Sequence, residues 1–120
     1  MAGRASRRTS RGMVTAELAV AILAALSLFA LMCWGLVLIG LQLRCVDTAA
    51  AVARQEARSD RAAVARARQE APQGAVIGVQ RQRNQVRVTV TLRVRPFLRG
   101  LPAVPLRAEA VVVPEPGAAR

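Results

Sequence analysis

The sequence predicts an α+β protein in which a long N-terminal transmembrane helix continues into an Ala/Arg-rich helix and is followed by a small three-stranded antiparallel sheet. Three observations support this prediction. An apolar run without a charge covers 18–41, the segment 44–71 is rich in helix-forming residues and contains no Gly or Pro, and apolar and polar residues alternate through 86–95.

The apolar run predicts a helix at 13–43 that stays in the membrane. A cleaved secretory signal has an apolar region of only about 7 to 15 residues, whereas this run is long enough to span a bilayer. Cys33 raises the alternative of a lipoprotein, but it lies deep in the run and follows Met32. A lipoprotein cleavage site needs a small residue at that preceding position, so this alternative is weak.

The distribution of charge predicts how the helix is oriented. The net charge of +11 divides into +4 in the leader 1–12, −1 at Glu17 and +8 over 18–120. By the positive-inside bias, the basic leader predicts a cytoplasmic N-terminus and an extracytoplasmic C-terminal domain. Arg44, Arg54 and Arg58 on the other flank make the asymmetry moderate.

The segment 44–71 is predicted to form an extracytoplasmic helix, which Pro72 and Gly74 end. Its small apolar residues recur at helical spacing and form a narrow stripe: Val46, Ala50, Ala53, Ala57, Val64, Ala67 and Ala71. A stripe of Ala buries little area. The alternatives are a solvated stalk, or packing of this helix against the C-terminal sheet or another protein chain.

The segment 75–113 is predicted to form the antiparallel β region, with strands at 75–79, 86–95 and 106–113. Between them we expect a polar turn at 80–85 and a Pro-containing loop at 97–105. The middle strand shows the clearest alternation, which predicts one buried face: Val86, Val88, Val90, Leu92 and Val94. The tail 114–120 is predicted to be disordered.

The composition excludes most enzymes. The chain has no His, Tyr or Lys, its seven acidic residues are scattered, and we find no metal-ligand spacing, phosphate-binding loop or nucleophile motif. We therefore expect no catalytic residue, metal, cofactor or small-molecule ligand. Arg residues spread along the chain, with aromatics only at Phe29, Trp34 and Phe97, also argue against direct binding of nucleic acid.

The two cysteines are not expected to bond to each other. Cys33 and Cys45 lie twelve residues apart on the predicted helix, or about 18 Å along its axis. A disulfide requires Cα atoms within about 7 Å. Cys33 is read as a small packing residue, and Cys45 either packs or forms a cross-link to a neighbouring chain.

Glu17 is the most informative residue of the chain. It stands immediately before the apolar run, five positions after Gly12, in Arg-Gly-Met-Val-Thr-Ala-Glu-Leu-Ala-Val. An ionised carboxylate at the start of a membrane-spanning helix costs a few kcal/mol of free energy unless it pairs with another group. Glu17 is therefore a candidate functional residue.

In these features the chain resembles the TadE-like minor pilins of the tight-adherence branch of the type IV pilus systems. The resemblance extends from Arg11 to about Leu43, and the Ala/Arg-rich helix and the strand around 108–111 support it. Leu18 stands where the major pilins of this branch commonly have Tyr, which fits a minor pilin better than the main filament subunit.

The resemblance implies that a prepilin peptidase cleaves after Gly12 and leaves Met13 as the new N-terminus. Glu17 of one subunit would then pair with the α-amino group of its neighbour during assembly. The implied partners are this peptidase, other pilin or pilin-like subunits, and the platform that assembles a tight-adherence-type pilus or secretion apparatus.

The alternative is an unprocessed single-pass membrane anchor or scaffold protein. In that case Glu17 is an interfacial acid that reaches back to the cytoplasmic side. For the pilin-like hypothesis, the residues leave open whether the assembly is an adhesive pilus, a DNA-uptake pseudopilus or a complex that stays in the membrane.

Overall fold

The computed structural model describes residues 3–114 and 116, and side chains from Arg11 onward. Two helices precede three strands, in the order α1 (Gly3–Ala57), α2 (Arg61–Gln69), β1 (Val76–Gln82), β2 (Gln85–Val94) and β3 (Val104–Val112). The chain divides into an N-terminal unit, 1–37, and a C-terminal unit, 38–120. This architecture confirms the predicted α+β fold class.

The N-terminal unit consists of the first part of α1. By length and composition α1 could cross a membrane, and none of the side chains in its most apolar stretch is buried. The predicted leader and the predicted span belong to the same helix, because α1 already begins at Gly3. The N-terminal unit therefore has a long apolar surface that is exposed over most of its length, as a lipid-facing helix requires.

The C-terminal unit contains a helix break that the sequence analysis did not predict. The predicted continuous helix over 44–71 is wrong at 58–60, because α1 ends at Ala57 and α2 begins at Arg61. Ser59 adopts a positive φ of 59°, and the Asp60 Oδ1 accepts a hydrogen bond from the Ala63 N–H at 3.0 Å. Asp60 thus caps the new helix by satisfying one of its unpaired backbone donors.

The three strands form one antiparallel sheet in the order β1-β2-β3. β1 is longer than predicted and runs to Gln82, so the connection to β2 is a short turn at Arg83 and Asn84 rather than a loop over 80–85. Gln80, Arg81 and Gln82 pair with β2 although they are polar. This is possible because the backbone, not the side chains, makes the ladder of hydrogen bonds.

The third strand also begins earlier than predicted. β3 starts at Val104 and includes Pro105, which lies opposite Arg93, whereas we expected a loop up to Pro105. Proline lacks an N–H donor, yet an edge strand tolerates it because one side of the strand has no neighbour. Since β3 is an edge of this sheet, Pro105 can extend the strand instead of ending it.

The predicted buried face of β2 forms one side of the core. Val86, Val88, Val90 and Leu92 are buried, and Val94 is packed against them. They form one cluster with residues of the helices and of β3: Cys45, Ala49, Val52, Ala53, Val64 and Ala108. The C-terminal unit therefore has a compact core of mostly small side chains.

The helical part of this core corrects the predicted stripe. Ala53, Ala57 and Val64 of this stripe are buried, which favours packing on the sheet over a solvated stalk, but Val46 is exposed and Ala50 is only partly buried. The buried face of α1 instead begins at the residues Cys45, Thr48, Ala49 and Val52. Alanines occur on every side of this helix, so their spacing alone could not identify the face that packs.

Cys45 is fully buried and free, and this burial argues against a cross-link from Cys45 to a neighbouring chain. Cys33 is also free and is exposed on the N-terminal unit. Burial raises the pKa of the Cys45 thiol, an effect that the nearby Arg44 guanidinium partly opposes. Cys45 therefore acts as a small apolar packing residue.

Substitution Val90→Ala should destabilise the C-terminal unit by about 2 kcal/mol, because it removes buried methyl groups and leaves a cavity. Hydrogen exchange of the full chain in detergent micelles should show amide protection in β2 falling about 30-fold. Val111→Ala is the control, since Val111 is exposed on β3, and it should change protection little. Equal effects of the two substitutions would contradict this assignment of the core.

Cys45 should react far more slowly with a maleimide than an exposed thiol on the same helix. Its raised pKa reduces the thiolate fraction at pH 7 to 8, and its burial blocks access. The experiment uses a Cys33→Ser background, followed by mass spectrometry with and without urea. The control adds Cys45→Ala and Val46→Cys, which moves the thiol to an exposed neighbouring position; similar rates for both thiols in the folded protein would contradict the burial.

Candidate processing and assembly site

The three predicted site residues Gly12, Met13 and Glu17 all lie on α1 in the N-terminal unit, and all are exposed. Met13 and Glu17 are four residues apart, so they lie on the same face of the helix, about 6 Å apart along its axis. In the described part of the chain, the Glu17 carboxylate forms neither a hydrogen bond nor an ion pair. The helix thus presents an available anion one turn after Met13.

Gly12 has no packing role in this structure. A Cβ atom added at this position would meet nothing within 4 Å, and the backbone there is helical without a positive φ. Glycine in the interior of a helix costs roughly 0.5–1 kcal/mol relative to alanine. Because neither packing nor conformation requires glycine here, Gly12 is a weak point of the helix.

The neighbouring hydroxyl adds to this local weakness. Thr15 donates a hydrogen bond from its Oγ1 to the Arg11 carbonyl oxygen, at 2.9 Å, four residues back. Such back-bonding by Ser or Thr slightly destabilises a helix and often bends it. A protease that has to open the backbone after Gly12 would therefore meet a turn that is less stable than the rest of α1.

In the C-terminal unit, a cluster of charges connects the two helices with the sheet. Glu56 pairs with Arg81 of β1, and its Oε1 lies 4.0 Å from the Nη2 of Arg68 on α2. The Glu56 side chain is only 11% exposed. The sequence analysis missed this cluster because Glu56 and Arg81 are 25 residues apart and nothing in their local sequence indicates the contact.

Arg87, on the outer face of β2, has a carboxylate partner on the neighbouring strand β3. Arg87 donates from its Nη1 to the Glu109 Oε1 of β3 at 2.8 Å, and the Nη2 of Arg107 lies 3.6 Å from Oε2 of the same carboxylate. The pair of Arg87 and Glu109 joins β2 to β3, whereas Arg107 and Glu109 both lie on β3. Both pairs are partly exposed, so each contributes at most about 1 kcal/mol to stability.

The C-terminal unit contains several open clefts. A cleft of about 380 Å³ between α1 and α2 is lined by charges of both signs and small side chains: Arg44, Asp47, Thr48, Ala50, Ala51, Arg54, Ala67 and Glu70. Among the residues that the structure describes, no group of three His, Cys, Asp or Glu side chains could hold a metal ion.

No family model matches the chain, and no solved structure is detectably similar to it. The chain is, however, 36% identical over 102 residues to a protein of Mycobacterium tuberculosis (strain ATCC 25618 / H37Rv) that is named Apoptosis inhibitor Rv3655c. The similarity covers 84% of this chain and 78% of the mycobacterial protein. A match of that extent has to include 21–100, and therefore most of the apolar run, α2, β1 and β2. The chain belongs to the same protein family as this mycobacterial protein.

Proposed function

We propose that the protein is a minor pilin or pseudopilin-like subunit that contributes to the assembly of a tight-adherence-type pilus or secretion apparatus. In this proposal the span holds the subunit in the membrane, with the N-terminus in the cytoplasm and the C-terminal unit outside. The observation that carries the proposal is the exposed Glu17 carboxylate, one helical turn after Met13 at the start of an apolar helix, with no ion-pair partner among the side chains described from Arg11 onward.

The physical basis is the cost of burying a charge. Cleavage after Gly12 would create a positive α-amino group on Met13 at the edge of the hydrocarbon region. A lone charge there is unfavourable, and so is the Glu17 carboxylate. Pairing the amino group of one subunit with Glu17 of the next would offset both desolvation costs and fix the axial register of the two helices.

The surface of the span supports close approach of such helices. Small residues occupy much of its first half, and an added Cβ at Gly35 would meet no atom within 4 Å. In membranes, where helices gain little from the hydrophobic effect, small residues allow the backbone contacts that drive association. Assembly of several subunits would thus use both the charge pair and this surface.

A second candidate function is the one that the name of the mycobacterial relative states, inhibition of apoptosis. The identity of 36% over most of both chains favours a shared activity. An activity of this kind would not depend on cleavage at Gly12. A cell-death assay with the Gly12→Ala protein therefore separates it from the assembly proposed above.

The Gly12→Ala protein should retain its leader in native membranes, whereas the unchanged protein should begin at Met13. The substitution introduces no clash, since a Cβ at this position meets nothing within 4 Å, and it should strengthen the helix by about 0.5–1 kcal/mol. N-terminal sequencing of both purified proteins measures this. A start near Met1 in both would overturn the processing and leave the single-pass anchor.

The Glu17→Gln protein should insert and be processed normally but fail to enter a high-molecular-mass assembly. Gln is nearly isosteric and keeps the helix, yet it cannot offset the positive α-amino group. Native electrophoresis of detergent-solubilised membranes measures the assembled fraction, and Glu17→Asp, which keeps the charge, should retain part of it. Normal incorporation of the Gln variant would refute a role for Glu17 in assembly.

A further inference from the structure

Residues 95–103 connect β2 to β3, and the part 96–103, here called loop 96–103, exposes three large apolar side chains. Phe97 is 77% exposed, Leu98 57% and Leu101 55%. Gly100, with a φ of +98°, provides the left-handed conformation that this turn uses. A cluster of exposed apolar side chains on a small domain usually marks a contact with a protein or a membrane.

The position of this loop within the C-terminal unit indicates which contact it makes. Two clefts place the ends of β2 and β3 beside the last turns of the apolar run. One, of about 450 Å³, has Leu41, Leu92 and Val94 in its lining, and the other, of about 400 Å³, has Leu38 and Leu106. The loop therefore leaves the sheet beside the point where the chain leaves the apolar run.

Two polar contacts give the direction of the strands relative to the helix. Near the start of the part of α1 that belongs to the C-terminal unit, the Gln42 side chain donates a hydrogen bond from its Nε2 to the carbonyl oxygen of Arg107 on β3, at 2.8 Å. Near the end of α1, Glu56 pairs with Arg81, which lies opposite Val86. α1 and β2 therefore run in opposite directions, and β2 ends toward the apolar run.

The lengths of these elements place the loop at the level of the lipid headgroups. A helix of the 24 residues from 18 to 41 is about 36 Å long, whereas the hydrocarbon core of a bilayer is about 30 Å thick. The last residues of the run thus lie in the interfacial layer. Phe97 follows Val94 by three residues, and Val94 lines the same cleft as Leu41 of the apolar run.

The charge of this region fits an anionic surface. Arg93, Arg95 and Arg99 are exposed around the loop, and in the part of the chain that the structure describes no carboxylate forms an ion pair with them. Glu109 is the only acidic residue between 75 and 113. Apolar and aromatic side chains next to Arg are the composition of segments that lie in the membrane interface.

We propose that loop 96–103 is a second membrane contact of this protein. Phe97, Leu98 and Leu101 enter the headgroup region of the leaflet next to the C-terminal unit, while Arg93, Arg95 and Arg99 bind anionic phospholipid headgroups. The inference rests on the membrane insertion in the proposed function, but not on cleavage or assembly. Contact with lipid would hold the C-terminal unit against the bilayer as long as the subunit stays in the membrane.

The single tryptophan of the chain makes a direct test possible. The full chain is reconstituted in vesicles of phosphatidylcholine with and without phosphatidylglycerol. Trp34 of the unchanged protein, with brominated acyl chains as quenchers, reports whether the span is inserted. In a Trp34→Phe background, Phe97→Trp reports on the loop with a nitroxide-labelled headgroup. Val113→Trp is the matched control, because Val113 is exposed but lies at the opposite end of the sheet.

We expect quenching of Trp34 by the acyl-chain probes, and stronger quenching by the headgroup probe at position 97 than at position 113. If Trp34 is quenched but position 97 is quenched no more than position 113, the loop proposal is overturned and the proposed function stands. The loop would then be a candidate contact surface for another protein. If Trp34 is not quenched, the span is not inserted and both proposals fail.

The role of the charges has its own readout. Each of the substitutions Arg95→Gln and Arg99→Gln should lower the partitioning of the loop into vesicles with phosphatidylglycerol about fivefold, as for a basic residue near an anionic surface. Arg83→Gln, in the exposed turn between β1 and β2, is the control and should leave it unchanged. Equal quenching at position 97 for all three variants would overturn the part of the proposal that concerns anionic lipid.

Discussion

The C-terminal unit depends on one contact, between the buried face of β2 and a face of small side chains on α1. Val88 and Val90 of β2 and Val52 of α1 are completely buried, and α2, β1 and β3 are packed around them. Three strands with one apolar face are not stable without a cover. Because the covering helix continues directly from the apolar run, the segment that is long and apolar enough to cross a membrane and the segment that covers the sheet belong to one helix.

The sequence predicted those elements in which a single physical pattern dominates. The alternation of Val86 to Val94 identified β2 and its buried face, since a strand buried on one side has a period of two. It did not predict the helix break at Ser59, because the composition on both sides favours helix. The signal was present in Asp60, a preferred residue for capping a helix, but its Oδ1 contact with the Ala63 N–H becomes evident only in three dimensions.

The candidate site was accessible to sequence reasoning for a different reason. Gly12, Met13 and Glu17 all lie on one helix, so their spacing in the sequence already gives their relative positions. Contacts between elements distant in sequence could not be predicted in this way. The contact of Glu56 with Arg81 and the placement of loop 96–103 beside the end of the apolar run both depend on how the sheet packs on α1.

The division of the core along the chain has a consequence for the order of folding. The helical face from Cys45 to Ala57 comes directly after the apolar run, whereas Ala108, which completes the core, lies near the C-terminus. The contact between Gln42 and Arg107 closes a loop of 65 residues. A chain that emerges N-terminus first therefore forms its helix well before the strands that cover it. The C-terminal unit can fold cooperatively only once β3 has been synthesised. Until then, the apolar face of α1 remains open to other chains that emerge beside it.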